Sequence, residues 1–119
     1  MIRPVGDEPL EPTEGAKAIF APGQLVRHRR YRYRGVVVVC DPRCRADDAW
    51  YFANHTQPDR DQPWYHVLVH NSDQVTYPAQ ENLLPDPSGQ PIHHPLLTTF
   101  FTEFMVDGKY IRNDLPWSV

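Results

Sequence analysis

Continuous and alternating apolar positions predict one dominant strand near the start of the chain, in residues 24–42 (QLVRHRRYRYRGVVVVCDP). Because side chains alternate along a strand, such a strand has two faces: Arg30, Arg32, Arg34, Val36 and Val38 share one, and Arg29, Tyr31, Tyr33, Val37 and Val39 share the other. The four valines predict burial on both faces. The arginine half must instead reach solvent or an anionic partner. Gly35 stands at the junction, where a bulge or bend fits.

Shorter patterns predict the remaining elements. Residues 24–26 predict a first strand, residues 64–70 (WYHVLVH) a second strong strand, and residues 74–77 a third, with Pro78 marking a strand end or a sheet edge. From His94-Pro95 onward, the spacing of apolar residues predicts an amphipathic helix that stops near Gly108 and packs on the sheet. Its stripe is Leu96, Leu97, Phe100, Phe101, Phe104 and Met105. Residues 110–112 predict a last strand, and Trp117 is expected to fold onto the domain.

Composition predicts one folded domain. The 119 residues are 40% hydrophobic and 12% aromatic, enough for a modest core, and thirteen prolines argue against long helices. Residues 1–19 are expected to form a flexible acidic tail, and residues 20–119 the domain. The longest aliphatic run is four residues, and the first residues lack the apolar core of a signal peptide. We therefore expect a cytoplasmic protein without a membrane partner.

The net charge of −3 hides a strong asymmetry. Residues 27–45 contain seven arginines and one acid, whereas the remaining residues contain five basic and fourteen acidic ones. Such a chain can bind an anion through one patch while the rest of its surface repels that anion. The alternative is that the arginines pair with the chain's own carboxylates.

Residues 45–63 form a long polar loop that three successive aromatics interrupt, Trp50, Tyr51 and Phe52. The rings either cover the core as a lid or form an exposed binding surface. The lid is favoured, because leaving three large rings in water is costly.

Residues suited to metal or covalent chemistry do not form a familiar pattern. Cys40 and Cys44 are spaced CxxxC across a proline, without the second pair that a structural zinc site needs. His66 and His70 lie about 13 Å apart on a strand, too far to share an ion. No nucleophile motif or phosphate-binding loop is present. We expect a protein without enzymatic activity, cofactor or metal.

Several of these segments together carry a family resemblance. QLVRHRRYRYRGVVVVCDPRC, QPWYHVLV, YPAQENL and PIHHPLLTTFFTEF resemble the YccV-like (HspQ) family, also called the hemimethylated DNA-binding domain family, over about residues 20–112. The resemblance implies a small SH3-like β-barrel with an added C-terminal helix. Two departures stand out: position 32, often glycine or another small residue, is arginine here, and Pro78 and Gln80 replace a valine and a glutamate.

The resemblance implies two functions of different classes. The first is binding to DNA methylated on one strand, for which the candidate residues are Arg27, Arg29, Arg30, Arg32, Arg34, Tyr31, Tyr33 and Trp50. The arginines would neutralise phosphates, and an aromatic ring would contact a methyl group in the major groove. The competing interpretation of Tyr31 and Tyr33 is cross-strand packing. The second function is a heat-shock factor that binds a protease or its clients, with homo-oligomers permitted by an exposed sheet edge.

Overall fold

Two antiparallel sheets organise the apolar residues of the chain. The computed structural model describes residues 17–118. The larger sheet has the strand order β4-β3-β2-β1-β5, and β6 pairs with β7 in a second, two-stranded sheet. The strands are β1 (Leu25–His28), β2 (Arg34–Asp41), β3 (Trp64–Val69), β4 (Val75–Thr76), β5 (Leu83–Pro85), β6 (Phe101–Phe104) and β7 (Tyr110–Arg112). Two short helices, α1 (Asp48–Ala53) and α2 (Leu97–Phe100), and a 3₁₀ turn at Gln80–Asn82 complete the fold.

The valine strand β2 is the centre of the larger sheet, as its sequence predicts. Val36, Val37 and Val38 are fully buried. One face of the sheet joins a core cluster with the second sheet, comprising Leu25, Val36, Val38, Leu68, Ile92, Phe100, Phe101 and Tyr110. The other face holds Phe20, Val26, Val37, Tyr65, Val67 and Leu83. Burial on both sides explains why this strand is a continuous aliphatic run.

Gly35 lies where two strands approach closely, and the irregularity in the ladder lies further along. The register between β2 and β3 shifts between Val37 and Val39. A Cβ on Gly35 would lie 2.5 Å from both the Leu68 carbonyl oxygen and the Val67 Cγ1 atom. The glycine is therefore required by backbone proximity, and the bulge predicted at this residue is displaced by two to four positions.

The prediction of one strand across the arginine segment is wrong for residues 29–33. These residues form the turn of the β1–β2 hairpin. The backbone at Arg32 has φ 68°, a left-handed conformation that a continuous strand excludes. The arginines and tyrosines of this segment consequently do not alternate across a sheet.

The predicted amphipathic helix is wrong beyond its first turn. Only Leu97–Phe100 is helical, and the next four residues form β6, which pairs with β7. Phe100 and Phe101 are both buried in the core, because the change from helix to strand turns neighbouring side chains to the same interior. The phenylalanines do pack on the sheet as expected, and Trp117 contacts Phe100 with ring centroids 5.3 Å apart.

The described part of the chain begins with a segment that is attached to the domain. The Gln80 side chain accepts a hydrogen bond from the Ile19 amide (3.0 Å) and donates one to the Lys17 carbonyl (3.0 Å). The buried Tyr65 hydroxyl accepts a further bond from the Ile19 amide (3.2 Å). Residues 17 and 19 of the tail predicted for residues 1–19 are therefore hydrogen-bonded to the domain, and the rest of that tail up to residue 16 lies outside the described residues.

The described residues confirm a mainly β architecture. Strands β4 and β5 are the two edges of the larger sheet, so the closed SH3-like barrel stays a prediction. Across residues 17–118, the helices are all too short to cross a bilayer.

Candidate nucleic-acid interface

The β1–β2 turn forms an exposed basic tip. Arg29, Arg30 and Arg32 are all exposed there, together with Tyr31. Within residues 17–118, no carboxylate forms a salt bridge with any of these three guanidinium groups. A patch of this kind attracts phosphates, because it places positive charge in solvent without a counter-ion among the described residues.

Buried His28 stabilises the conformation of the basic tip. Its Nδ1 atom accepts hydrogen bonds from the backbone amides of Arg30 (3.1 Å) and Tyr31 (3.0 Å). The Arg32 amide donates to the His28 carbonyl (3.0 Å), and the Arg29 amide donates to the Asn82 carbonyl (2.8 Å). These bonds satisfy the backbone donors of a turn that has no regular ladder.

A pocket of about 350 Å³ opens beside the tip. Its aromatic walls and floor come from four separate segments: Tyr31, Tyr33, Trp50, Trp64 and Tyr77. Trp64 is buried, while Tyr31 is 55% and Trp50 39% exposed, so the floor is structural and the walls face solvent. Packing Trp50 against Trp64 and Tyr77 at edge-on angles brings the α1 segment to the larger sheet.

Polar groups lie among the rings. Asn54, Thr76 and Asn82 contribute to the pocket lining. The Tyr33 hydroxyl is hydrogen-bonded to Thr76 Oγ1 (2.7 Å), and burial raises the pKa of Tyr33 to about 12, so this hydroxyl stays protonated at neutral pH. The pocket therefore offers flat apolar faces with a few hydrogen-bonding groups, the pattern that ligand sites commonly have.

A comparison with known families matches this region of the chain. The family model described as "Hemimethylated DNA-binding protein YccV like" matches residues 18–108, a stretch that includes the basic tip and the whole pocket. The chain belongs to the YccV-like family. The resemblance noted in the sequence is thereby confirmed.

Curated relatives of this YccV-like chain are much longer proteins. F-box only protein 21 from Pongo abelii and from Homo sapiens is 35% identical to it over 97 residues, and the Mus musculus protein matches to the same extent. The match covers 79% of this chain but 15% of each relative. The chain thus spans a small part of the curated relatives it matches.

The structure separates the sequence-predicted site residues into two groups. Six of them lie at the tip or the pocket: Arg29, Arg30, Tyr31, Arg32, Tyr33 and Trp50. The other two lie on the strands, where Arg27 is directly opposite Arg34. Arg34 Nε donates to Asp86 Oδ2 at 2.6 Å, and a second nitrogen binds the Gln90 carbonyl. The internal-pairing alternative therefore holds for Arg34.

The three loop aromatics, Trp50, Tyr51 and Phe52, do not all have the same role. One covers the core as a lid, and the other two are exposed. Tyr51 is buried and donates a hydrogen bond to the Pro58 carbonyl (2.7 Å), as a lid residue does. Phe52 is 67% exposed, and Trp50 borders the pocket. Four further residues line the candidate site and were not predicted from the sequence: Trp64, Tyr77, His28 and Asn82. The sequence offered little indication of these four residues, because each lies in a pattern that a strand or a turn explains completely.

Five of the six histidines of the YccV-like domain make contacts within the fold. Cys40 and Cys44 are free thiols, and the described residues contain no cluster suited to a metal ion. His66 stacks on Tyr77 with ring centroids 4.3 Å apart, and the Tyr77 hydroxyl donates to Asp41 Oδ2 at 2.5 Å. This network fixes the floor of the pocket from behind.

Protonation of His28 is expected to loosen the basic tip. Burial, with a smaller contribution from the Arg30 charge, lowers the pKa of His28 below 6.5. Only the neutral ring can accept two amide bonds at Nδ1, since imidazolium has no acceptor. The stabilisation is therefore complete above pH 6.5 and is lost as the pH falls through the lowered pKa.

An NMR titration of His28 measures this directly. The imidazole should titrate below pH 6.5, and the backbone amides of Arg30 and Tyr31 should shift with the same midpoint. A His28→Asn variant, whose side-chain oxygen can still accept, is the control and should remove that pH dependence. A His28 pKa at or above 6.5 with both amides unmoved would contradict the assignment.

Proposed function

We propose that this chain binds DNA without acting as an enzyme, with the basic tip on the phosphate backbone and the aromatic pocket facing the bases. One observation carries the proposal: a single hairpin turn places three exposed arginines beside a solvent-accessible aromatic pocket. Phosphate contacts position a protein on DNA, whereas base contacts supply discrimination. The family described for hemimethylated DNA-binding proteins supports DNA as the partner.

The charge distribution supports local rather than extended binding. The chain carries a net charge of −3, so a duplex is repelled by most of its surface and attracted at the tip. Affinity that rests on two or three arginines is modest and falls with salt, because each phosphate contact releases a counterion.

The conformation of Arg32 supports a role for its side chain in binding. A non-glycine residue at φ 68° costs about 1 kcal/mol relative to glycine. Within residues 17–118, Arg32 forms no salt bridge that would offset this cost. An arginine kept in a strained turn is consistent with a function that needs its charge.

Removing two tip charges tests the proposal. Arg30→Ala combined with Arg32→Gly should weaken binding to any duplex by about tenfold or more, and should lower the slope of log affinity against log salt by about two. The measurement is fluorescence anisotropy on a labelled duplex at two or more salt concentrations. Because Arg32→Gly relieves the turn, the variant should unfold no more easily than the parent.

A charge-matched control distinguishes the effect of the tip arginines on DNA affinity from the effect of the net charge. Arg43→Ala with Lys109→Ala also removes two positive charges, at the far end of β2 and in the β6–β7 turn. This control should bind DNA within about twofold of the parent. Equal losses in both variants would mean that net charge alone controls binding, and unchanged binding in the tip variant would refute the assignment of the tip.

Methylation preference is tested with three matched duplexes, which are unmethylated, hemimethylated and fully methylated. We propose a preference for the hemimethylated duplex that persists at both salt concentrations, since an apolar methyl contact is insensitive to salt. Equal affinities for all three duplexes would leave a purely electrostatic DNA-binding surface.

The second candidate is a protein-binding stress factor that modulates proteolysis. It is favoured by the exposed edge of β4 at Val75, and by relatives that are F-box proteins. An edge strand can pair with an extended segment of another chain or with another copy. A partner held this way should still bind the Arg30→Ala, Arg32→Gly variant, and a proline in place of Val75 should abolish its binding.

A further inference from the structure

We propose that the aromatic pocket receives a single nucleobase that is either extruded from its helix or already unpaired, while the basic tip binds the adjoining phosphates. This inference rests on the proposed function and names what occupies the pocket. A base that remains paired exposes only its edge in a groove, so it cannot place its faces between rings. A concave pocket with aromatic walls recognises the faces of a base that has left the stack.

The ring arrangement suits a flat ligand. Tyr31 is stacked on His28, with centroids 4.7 Å apart and planes 28° apart, so the ring has a defined orientation despite its exposure. Trp50 stands on the α1 side of the same pocket, edge-on to Trp64. Both exposed rings belong to the wall, and each can cover part of an inserted base without first leaving the core.

The polar lining suits the edge of a base. Asn54 and Asn82 both line the pocket. The Asn54 Nδ2 atom already donates to the carbonyls of Trp50 (3.0 Å) and Tyr51 (3.4 Å), so Asn54 offers its Oδ1 as an acceptor, whereas the Asn82 amide provides a donor and an acceptor. Amide side chains pair well with the mixed donor and acceptor edges of nucleobases. The described residues that line the pocket include no carboxylate, so an anionic chain can approach it without repulsion from the walls.

A second cavity provides a place for the sugar and phosphate. It has a volume of about 260 Å³, shares His28, Tyr31 and Asn82 with the pocket, and adds Arg30. The Arg30 guanidinium carbon lies 5.8 Å from the centre of the Tyr31 ring, so charge and ring are presented together. Glu81 also lines this cavity, and its carboxylate accepts a hydrogen bond from Gln62 (2.6 Å). Gln62 is neutral and does not balance this carboxylate, so the phosphates that adjoin an inserted base are placed on the Arg30 side of the cavity.

If the pocket receives an unpaired base, the protein should prefer DNA that contains one, and a protein that binds only in a groove has no such preference. Extruding a paired base costs stacking and pairing energy, whereas a bulged base has already lost both. A duplex with one unpaired, bulged base should therefore bind at least about tenfold more tightly than a fully paired duplex of equal phosphate number.

The test compares these two labelled duplexes by anisotropy, for the parent and two variants. Tyr31→Ser lies at the exposed tip and leaves the core intact; it should abolish the preference for the bulged duplex while retaining most binding to the paired one. Phe52→Ser changes an aromatic of α1 that is also more than half exposed but lies outside the pocket, so this variant is the matched control and should retain the full preference.

A fluorescent readout reports the base itself. With 2-aminopurine as the bulged base, stacking in the pocket should quench its emission for the parent and for Phe52→Ser, but not for Tyr31→Ser. Equal affinity for bulged and paired duplexes, with no quenching, would overturn the inference and leave the proposed DNA binding standing. An absence of binding to either duplex at low salt would instead refute the proposed function.

Discussion

Replacing Gly23 by alanine is expected to destabilise the fold by about 3 kcal/mol or more. Gly23 has φ 93°, and a Cβ there would overlap the backbone carbonyl oxygen of Tyr110. The same residue joins the two sheets: its amide donates to the Val37 carbonyl (2.8 Å) and its carbonyl accepts from the Tyr110 amide (2.9 Å). Backbone atoms cannot rotate away as a side chain can, so relieving the overlap must separate β7 from the larger sheet.

Gly89→Ala is the matched control for this effect. Gly89 also has positive φ (62°), but a Cβ there would meet nothing within 4 Å. This variant should lose only about 1 kcal/mol, the cost of the left-handed conformation alone. Urea unfolding followed by tryptophan fluorescence measures both free energies of unfolding. Equal losses would show that the contact with Tyr110 does not contribute.

Arg34→Ala is expected to lower stability by about 2–3 kcal/mol, although Arg34 resembles the other arginines of the segment in sequence. Its partner Asp86 has a side chain that is only 2% exposed. Burial alone would raise the pKa of Asp86, but hydrogen bonds from Arg34 and Ser88 outweigh burial and lower it below 3.8. Removing the guanidinium leaves a buried carboxylate without its main counter-charge.

The control is Arg43→Ala, which breaks an ion pair whose two side chains are 62% and 58% exposed. A pair so exposed contributes little, so the loss should stay below about 1 kcal/mol. In the parent, the stabilisation from Asp86 is present above pH 3.8 and is lost as the pH falls through the lowered pKa. Stability measured from pH 5 to pH 2 should fall less steeply in Arg34→Ala. A stable, DNA-deficient Arg34→Ala variant would contradict the structural role.

Much of the candidate interface could be predicted from the positions of charged and aromatic residues in the sequence. Charge concentrated in residues 27–45 located the basic region, and the aromatic residues Tyr31, Tyr33 and Trp50 were candidates for contacting bases. These three do line one pocket. Their convergence could not be predicted, because Trp50 is separated from Tyr31 by strand β2 and a loop, and only the packing of α1 against Trp64 brings them together.

The two errors in secondary structure have a common physical origin. Residues 29–33 have the alternation of a strand, and residues 101–104 continue the spacing of a helix. Local patterns report which residues prefer burial, but not which backbone partner is available. The β1–β2 register closes the first segment into a turn, and pairing with β7 draws the second into a strand. Tertiary pairing overrides the weak local preference in both places.

By itself the sequence determined the family, the mainly β class, the doubly buried valine strand and the location of the positive charge. Each of these depends on residue type or short-range order, and both are properties of the chain before it folds. The tertiary structure alone decided that Arg34 binds Asp86 while Arg29, Arg30 and Arg32 face solvent, and that a pocket opens beside them. Those outcomes depend on contacts between residues far apart in the chain, whose partners are chosen only when the sheets assemble.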